Sequence, residues 1–354
     1  MTDTPIIPVF DGHNDVLLRL WMKTGEGAVT DFLDGDGLGH LDLPRMKAGG
    51  FAGGMFAIFA PTDESFLPNN DDEEEDLNPP LAGQIGYSSA LRKTLEMAAL
   101  LFRVERQSKG SFKVCRNAAE VKSCIAHGVI AAVFHIEGAE AVDEKFKSLD
   151  VLYESGLRSL GPVWSRPNIF GHGVPFRFPS SGDTGDGLTE VGKDLIRYCN
   201  ERRILIDLSH LNEKGFWDVV KLSTAPLIAT HSNAHAICAS SRNLNDDQIK
   251  AIGDSGGMIG LNYATGFLRT DGRWSTDTPL DIMVRHVDHI MKIAGEACVA
   301  LGSDFDGARI PAKIKDVAGL PHLIDAMRTK DYGERLIARI AHENWVSVLE
   351  RTWG

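Results

Sequence analysis

Residues 128–137 read GVIAAVFHIE, a short apolar run that ends in the polar side chains of His135 and Glu137. A run of this length, rich in Val, Ile and Ala, is typical of a parallel strand buried on both faces. Helix-like stretches such as residues 83–107 and 279–296 separate it from similar runs elsewhere in the chain. Those seven runs are residues 6–10, 53–60, 157–164, 204–210, 225–231, 257–263 and 298–304. Eight buried strands with intervening helices predict an α/β fold of the (β/α)8 TIM barrel type.

The barrel has one competing architecture, a doubly wound open sheet, but no G-x-G-x-x-G follows any of the runs. A chain of 354 residues with 43% hydrophobic residues can build one large core, so we predict a single barrel domain over residues 1–354. One segment has an unusual composition: residues 61–80, PTDESFLPNNDDEEEDLNPP, combine an acidic run with flanking prolines. We interpret this segment as a long exposed loop inserted into the barrel.

Composition excludes several classes of partner. The net charge of −12 argues against nucleic-acid binding, which requires a basic surface. No run approaches the roughly 20 apolar residues of a membrane span, and neither end resembles a signal peptide or a lipid-anchor tail. The five cysteines are scattered without a C-x-x-C pair, as expected of reduced thiols: Cys115, Cys124, Cys199, Cys238 and Cys298. We therefore expect a cytoplasmic protein with no membrane anchor.

Polar residues that could carry chemistry stand at the ends of the predicted strands, where barrel enzymes place their active sites. They are His13, Asp15, Glu137, His210, His231 and Asp304. His13 and Asp15, two residues apart in VFDGHND (9–15), can share one face of an extended segment. Three imidazoles and three carboxylates suit zinc or a neighbouring first-row metal. Two divalent ions would balance Asp15, Glu137, an ionised Asp304 and a bridging hydroxide, with Glu137 between the ions.

The remaining histidines have less specific settings. His135 is expected one layer deeper on the face of Glu137, and His286 and His289 are expected as a surface pair on an outer helix. His172 and His235 are candidate substrate contacts on loops. Structural or surface roles are expected for the others, which are His40, His127, His322 and His342.

Five motifs together resemble the membrane dipeptidase (renal dipeptidase) family, peptidase family M19 of the amidohydrolase superfamily. In chain order they are DGHND, HIEG, LIDLSH, ATHSNAHAICASSRN and LGSDFDG, which span residues 11–307. The resemblance implies a TIM barrel of the metal-dependent hydrolase type that holds two zinc ions. Carried over to this sequence, His13, Asp15 and Glu137 would hold the first ion. Glu137, His210 and His231 would hold the second.

The same resemblance implies roles for two further residues. Asp304, rather than Asp306, matches the carboxylate that transfers protons. Arg242 matches an arginine that binds the substrate's C-terminal carboxylate, a pairing that guanidinium geometry favours. One position departs from the family: Trp164 stands where mammalian members have a histidine that contacts the scissile peptide group. His172 or Asn168 could replace that histidine.

Together with the resemblance, which implies the zinc ions and the dipeptide substrate, these residues predict a zinc-dependent dipeptidase that uses a metal-bridged hydroxide and, as the family does, tolerates a C-terminal D-residue. The alternative within enzymes is another binuclear amidohydrolase, such as a lactonase, although many of those bridge their metals with a carbamylated lysine on a strand. A non-catalytic metal- or peptide-binding protein is the alternative of another class. Relatives are commonly dimeric, so a homodimer is a possible assembly.

Overall fold

A computed structural model of the chain describes residues 6–23, 27–62 and 77–354. Within them the strands are β1 (Val9–Asn14), β2 (Phe51–Phe59), β3 (Phe112–Val114), β4 (Ile130–Glu137), β5 (Leu157–Gly161), β6 (Leu205–Ile206), β7 (Ile228–Ala229), β8 (Met258–Leu261) and β9 (Val299–Leu301). The helices are α1 (Val16–Met22), α2 (Ala28–Asp34), α3 (Leu43–Ala48), α4 (Tyr87–Gln107), α5 (Ala118–Ala126), α6 (Lys147–Ser155), α7 (Glu190–Arg202), α8 (Glu213–Leu222), α9 (Asp246–Asp254), α10 (Thr265–Leu268), α11 (Leu280–Ala294), α12 (Leu320–Thr329), α13 (Glu334–Ala338) and α14 (Asn344–Trp353).

The sheet is parallel, with eight strands in the order β6-β5-β4-β2-β1-β9-β8-β7. A parallel bridge between Asp207 and Ile228 joins the first and last of these strands and brings the sheet round into a near-closed ring. The predicted TIM barrel is thereby confirmed. The short strand β3 was not predicted; it pairs with the first half of β4, before β5 begins its own pairing with that strand.

The first strand begins and ends later than predicted. It was expected at residues 6–10, but β1 continues through His13 to Asn14. Asp11 can lie inside a buried strand because its carboxylate accepts hydrogen bonds from the backbone N (2.6 Å) and the Oγ (2.8 Å) of Ser303. Gly12 is required beside it, since a Cβ there would lie 2.2 Å from the Thr230 carbonyl oxygen. This shift places His13 on the strand itself.

The amino-terminal end of the barrel is closed by α14. Trp345 on this helix is completely buried, and its indole N–H donates to the Leu301 carbonyl at 2.8 Å. Its ring lies 6.4 Å from that of Phe10, in a cluster that includes Val348 and Leu349. Because this end is filled with apolar side chains, the opposite, carboxyl-terminal end is where polar side chains can meet a ligand.

One expectation about the outer helices was wrong. His286 was expected on the surface, but α11 turns it inward, where it is completely buried. Its Nδ1 accepts a hydrogen bond from the Ala234 backbone N (3.1 Å), and its Nε2 lies 3.0 Å from the Leu268 carbonyl. His289, three residues later, is partly exposed and pairs with Asp246 at 2.7 Å.

Two further features bear on the sequence predictions. Of the acidic segment 61–80, residues 63–76 lie outside the described residues, so its interpretation as an inserted loop stays a prediction. Among the helices that the structure describes, none is both long enough and apolar enough to cross a bilayer.

Candidate active site

The strands bring six predicted side chains to the carboxyl-terminal end of the barrel. β1 carries His13 and is followed by Asp15, and β4 ends in Glu137. The others follow β6, β7 and β9, and all six are almost fully buried: His13, Asp15, Glu137, His210, His231 and Asp304. The pairing of Glu137 with Phe59 of β2 and with Gly161 of β5 fixes the height of its carboxylate at the rim.

Glu137 lies at the centre of the three imidazoles. Its Oε1 is 2.8 Å from His210 Nε2 and 3.4 Å from His231 Nε2. The same oxygen is 3.6 Å from His13 Nε2. The imidazoles of His210 and His231 also approach each other, with 3.1 Å between their Nε2 atoms. One carboxylate oxygen and three ring nitrogens therefore point at one small volume.

A second group of ligand atoms adjoins the first and shares His13 with it. Asp15 Oδ2 lies 3.3 Å from His13 Nε2, and atoms of His13, Asp15 and Asp304 all lie within 4.8 Å of one another. Both ring nitrogens of His13 are buried without a hydrogen-bond partner. Buried polar atoms are normally satisfied, so an imidazole without a partner among carboxylates is the arrangement expected of a cation site. The residues present fit a metal centre of the nitrogen and oxygen type.

The electrostatics of this cluster also favour the binding of a cation. Burial raises the pKa of Glu137 well above its usual range, and the charges of Asp15 and Asp304 raise that pKa further. Burial, with the charge of Asp15, also raises the pKa of Asp304. Burial by itself would lower the pKa of His13, but Glu137 and Asp15 outweigh it and raise that pKa to about 10. The carboxylates thus draw positive charge into the site, and a divalent cation supplies more of it than one proton.

The other two imidazoles are held neutral. Burial lowers the pKa of His210 and that of His231 well below the usual value, and the positive charges of Arg242 and His13 lower both further. Neutral imidazole is the form of histidine that binds a metal ion.

A buried hydrogen-bonded relay sets the tautomer of His231. Burial raises the pKa of Asp207, but the charge of His135 and the donated hydrogen bonds of Ser209 and Thr230 outweigh it, so the net pKa lies below its usual value. Ionised Asp207 can only accept hydrogen bonds, and the hydroxyl of Thr230 donates one to its Oδ2 at 2.6 Å. Thr230 Oγ1 lies 2.8 Å from His231 Nδ1. Because its own proton is directed at Asp207, this oxygen must accept a hydrogen bond from the Nδ1–H of His231. The lone pair of His231 is then on Nε2, the atom that faces Glu137.

Hydroxyl groups also hold two other imidazole rings. Ser165 Oγ lies 2.8 Å from His210 Nδ1, which leaves the Nε2 of that ring beside Glu137. His135 lies behind the cluster, as predicted, with its Nδ1 2.8 Å from Ser159 Oγ. Each of these rings is thus fixed from the side remote from the predicted metal centre.

Asp304 is positioned by an unusual turn after β9. Its backbone is in the left-handed region, with φ of 60°, and its N–H donates to the His13 carbonyl at 3.0 Å. Its Oδ2 accepts from Asn262 Nδ2 at 2.9 Å. The turn continues through Gly307, where a Cβ would lie 2.2 Å from Asp15 Oδ2 and 2.6 Å from Asp304 Oδ1. The glycine therefore preserves the space between two carboxylates of the site.

The second aspartate of the same turn has other partners. Asp306 accepts hydrogen bonds from the Arg19 Nε (3.1 Å) and from the His40 backbone N (2.6 Å). It therefore ties α1 and the loop before α3 to the turn. Of the two aspartates, Asp304 is the one that lies among the predicted metal ligands.

Arg242 is buried beside this cluster, with an exposed fraction of 2%. Its Nη1 donates to Ser232 Oγ (2.9 Å) and its Nη2 to the His231 carbonyl (3.0 Å), while its Nε has no hydrogen-bond partner. Burial lowers its pKa to about 10, and the charge of Asp304 is the largest of those that oppose this effect. Arg242 is thus a cation at neutral pH whose buried Nε–H has no hydrogen-bond partner among the residues that the structure describes.

The indole ring of Trp164 packs near the imidazole of His210, with 5.9 Å between the ring centroids. The suggested replacements for the family histidine are engaged elsewhere. Asn168 closes its own turn, donating to the Pro162 carbonyl at 2.9 Å and accepting from the Phe170 backbone N at 2.8 Å. His172 Nδ1 lies 3.5 Å from the Gly187 carbonyl. The other candidate substrate contact, His235, has its Nε2 2.9 Å from the Ser180 carbonyl.

Several residues of the site were not predicted: Asn262, Asp207, Thr230 and Ser165. Each one immediately follows or interrupts an apolar run, as Asp207 does in ILIDLSH (204–210). A polar residue inside a buried run needs a partner, so the position of Asp207 was itself a usable indication.

Comparisons with known proteins agree with this geometry. Residues 4–353 match the profile of a family described as membrane dipeptidase (peptidase family M19). The structure of a dipeptidase AC, a metallopeptidase of family M19, is 54% identical with a TM-score of 0.93, and the match covers 99% of this chain and 100% of that one. A metallopeptidase from Rhodobacter sphaeroides, liganded with a phosphinate mimic of the dipeptide L-Ala-D-Ala, is 53% identical with a TM-score of 0.94 and the same coverage of 99% and 100%. The Klebsiella pneumoniae protein described as "uncharacterized protein in pqqA 5′ region" is 47% identical over 258 residues, 73% of this chain and 95% of that protein.

Proposed function

Because the chain belongs to the membrane dipeptidase family, peptidase family M19, and is a metallo-dipeptidase of that family, we propose that it hydrolyses dipeptides with the aid of two Zn²⁺ ions. The observation that carries the proposal is the position of Glu137 Oε1 among the Nε2 atoms of three histidines. His13, Asp15 and Glu137 would hold the first ion. Glu137, His210 and His231 would hold the second.

The metal ions and the protein have separate parts in the reaction. When bound, the two cations lower the pKa of a water molecule and polarise the scissile carbonyl. Asp304 is the proton carrier: Asn262 holds its Oδ2, and its Oδ1 takes the proton of the attacking water. Its raised pKa suits a group that must then return this proton to the leaving amine.

Arg242 limits the substrate to two residues. Its available Nε–H and its positive charge can hold the C-terminal carboxylate of a dipeptide, while its other donors fix it to Ser232 and to the His231 backbone. A longer peptide would carry its carboxylate beyond this anchor. The anchor acts on the carboxylate and not on the Cα configuration, so we expect a C-terminal D-residue to be accepted. The L-Ala-D-Ala mimic held by the Rhodobacter sphaeroides relative supports this expectation.

The proposal is tested with purified, zinc-loaded protein. L-Ala-D-Ala and L-Ala-L-Ala are offered beside L-Ala-L-Ala-L-Ala and a simple lactone, and zinc is counted by atomic absorption. We expect two zinc ions for each chain and cleavage of the dipeptides. Cleavage of the lactone in preference to the dipeptides would favour the wider group of binuclear amidohydrolases and refute the proposal.

One variant separates catalysis from binding. Asp304→Asn keeps the shape of the side chain but removes the proton carrier, so we expect full zinc content with turnover reduced about 10²–10⁴-fold. Asp306→Asn is the matched control, because Asp306 bonds Arg19 and His40 instead of lining the centre. A purely metal-binding protein would show no turnover in the parent chain.

We also propose that the protein works in the cytoplasm, and the homodimer that the family resemblance implies is the assembly to be tested. The five cysteines are free thiols, which fits a reducing compartment. Fractionation of cells and light scattering of the purified protein test the two statements separately.

A further inference from the structure

Three aromatic rings form a strip between the predicted metal centre and Arg242, the proposed carboxylate anchor. Trp164 begins it beside His210, and Phe176 follows with 5.5 Å between ring centroids. Phe267 comes next, 5.6 Å from Phe176, and the Arg242 guanidinium carbon lies 5.9 Å from the Phe267 ring. The strip therefore runs along the path that a dipeptide would take between its two points of attachment.

Phe176 is the middle ring of this strip and is held from both sides of the site. On one side, the Val174 backbone N donates to the His210 carbonyl at 2.9 Å. On the other side, Ser241, the residue before Arg242, donates from its Oγ to the Pro175 carbonyl and from its backbone N to the Arg177 carbonyl. The position of Phe176 is thus tied to a metal-binding histidine and to the carboxylate anchor.

Phe176 is also the most exposed residue of the strip. Trp164 and Phe267 are buried, whereas Phe176 is only partly buried. Its ring lies 6.1 Å from that of His210. An apolar ring that is accessible beside a metal ligand offers a surface that a substrate side chain can cover.

From this arrangement we propose that Phe176 selects dipeptides whose C-terminal residue has an apolar side chain. The inference rests on the proposed function, because it takes Arg242 to hold the C-terminal carboxylate and the metal centre to hold the scissile bond. The C-terminal residue is the part of a dipeptide that lies between those two points. A leucine or phenylalanine side chain there packs on Phe176, whereas an aspartate side chain loses its water against an apolar ring.

The test compares two substrate series on the zinc-loaded enzyme. In Ala-X the C-terminal residue varies and in X-Ala the N-terminal one, with X as Ala, Leu, Phe or Asp in each. We expect kcat/KM for Ala-Leu to exceed that for Ala-Ala at least about 10-fold, and that for Ala-Asp to fall below both. The X-Ala series should show a smaller spread.

Variants at position 176 assign the effect to this ring. Phe176→Ala should lower the ratio of Ala-Leu to Ala-Ala about 10-fold, and Phe176→Leu, which keeps an apolar surface, should retain most of it. Phe176→Gln gives the same readout if Phe176→Ala fails to fold. Ile169→Ala, at an exposed position of the same chain segment, is the control that should leave the ratio unchanged.

The outcomes distinguish this inference from the proposed function. Cleavage of Ala-Ala without preference in the Ala-X series would overturn the role of Phe176 and leave the dipeptidase proposal standing. An unchanged ratio in a folded, zinc-loaded Phe176→Ala or Phe176→Gln would do the same. Failure to cleave any dipeptide would count against the proposed function itself.

Discussion

Replacement of Thr230 by valine tests whether the buried relay controls metal binding. Valine has nearly the shape of threonine but lacks the hydroxyl that donates to Asp207 and accepts from His231 Nδ1. Without it, His231 can carry its proton on Nε2, the atom that faces Glu137 and would bind the proposed metal ion. Thr230→Val should therefore weaken zinc binding while the backbone hydrogen bond from Thr230 N to Asp207 (2.8 Å) remains.

The substitution should change both the zinc affinity and the unfolding free energy, because it removes the hydrogen-bond partner of His231. Loss of the partner of a metal-binding histidine lowers metal affinity roughly 10–100-fold. This range corresponds to about 1.4–2.7 kcal/mol of binding free energy. The metal-free protein should also lose about 1–3 kcal/mol of unfolding free energy, since His231 Nδ1 and one oxygen of Asp207 lose a buried partner.

Competition with a chromophoric zinc chelator measures the affinity, and urea denaturation of the metal-free protein measures the stability. Thr230→Ser is the control, because serine keeps the hydroxyl and loses only a methyl group. It should bind zinc nearly as tightly as the parent chain. If Thr230→Val and the parent chain bind zinc equally well, the tautomer assigned to His231 is wrong.

Three other perturbations have definite expected outcomes. Gly307→Ala should lose zinc and activity, because its Cβ would lie 2.2 Å from Asp15 Oδ2, whereas Gly333→Ala, with no atom within 4 Å of the added carbon, should retain both in the same metal analysis. Burial lowers the pKa of His286 to about 4, so below pH 6.5 the unfolded chain binds a proton that the folded chain excludes. The unfolding free energy should then fall by about 3 kcal/mol between pH 6.5 and 4, and denaturation curves of His286→Gln should lack this part of the decline. Arg242→Gln should raise KM for dipeptides roughly 10–100-fold, the value of a charged hydrogen bond, and an unchanged KM at full zinc content would exclude the proposed anchor.

The sequence predicted the features that depend on burial alone. Eight apolar runs were enough for the barrel, and the polar residues that end them were enough to select the six side chains that the structure brings to one rim. This worked because a charged group at the end of a buried run has few other roles. The same reasoning does not specify which short polar side chains will support them.

The features that were missed depend on register and on packing. Thr230 and Asp207 meet because the bridge between Asp207 and Ile228 aligns two short strands. The residues of neither strand indicate this register. The burial of His286 depends on which face of α11 meets the loop around Ala234. The continuation of β1 to Asn14 depends on the contact of Gly12 with a carbonyl that lies more than two hundred residues further along the chain.

The helix that fills the amino-terminal end of the barrel has a consequence for turnover. With Trp345 buried there, we expect no route for a ligand through that end of the barrel. Both free amino acids should then leave from the carboxyl-terminal rim, where their parent peptide is proposed to bind. The C-terminal amino acid carries the original carboxylate of the peptide and can stay paired with Arg242, the proposed anchor, after the bond is cut. We therefore expect it to compete with fresh substrate when it accumulates.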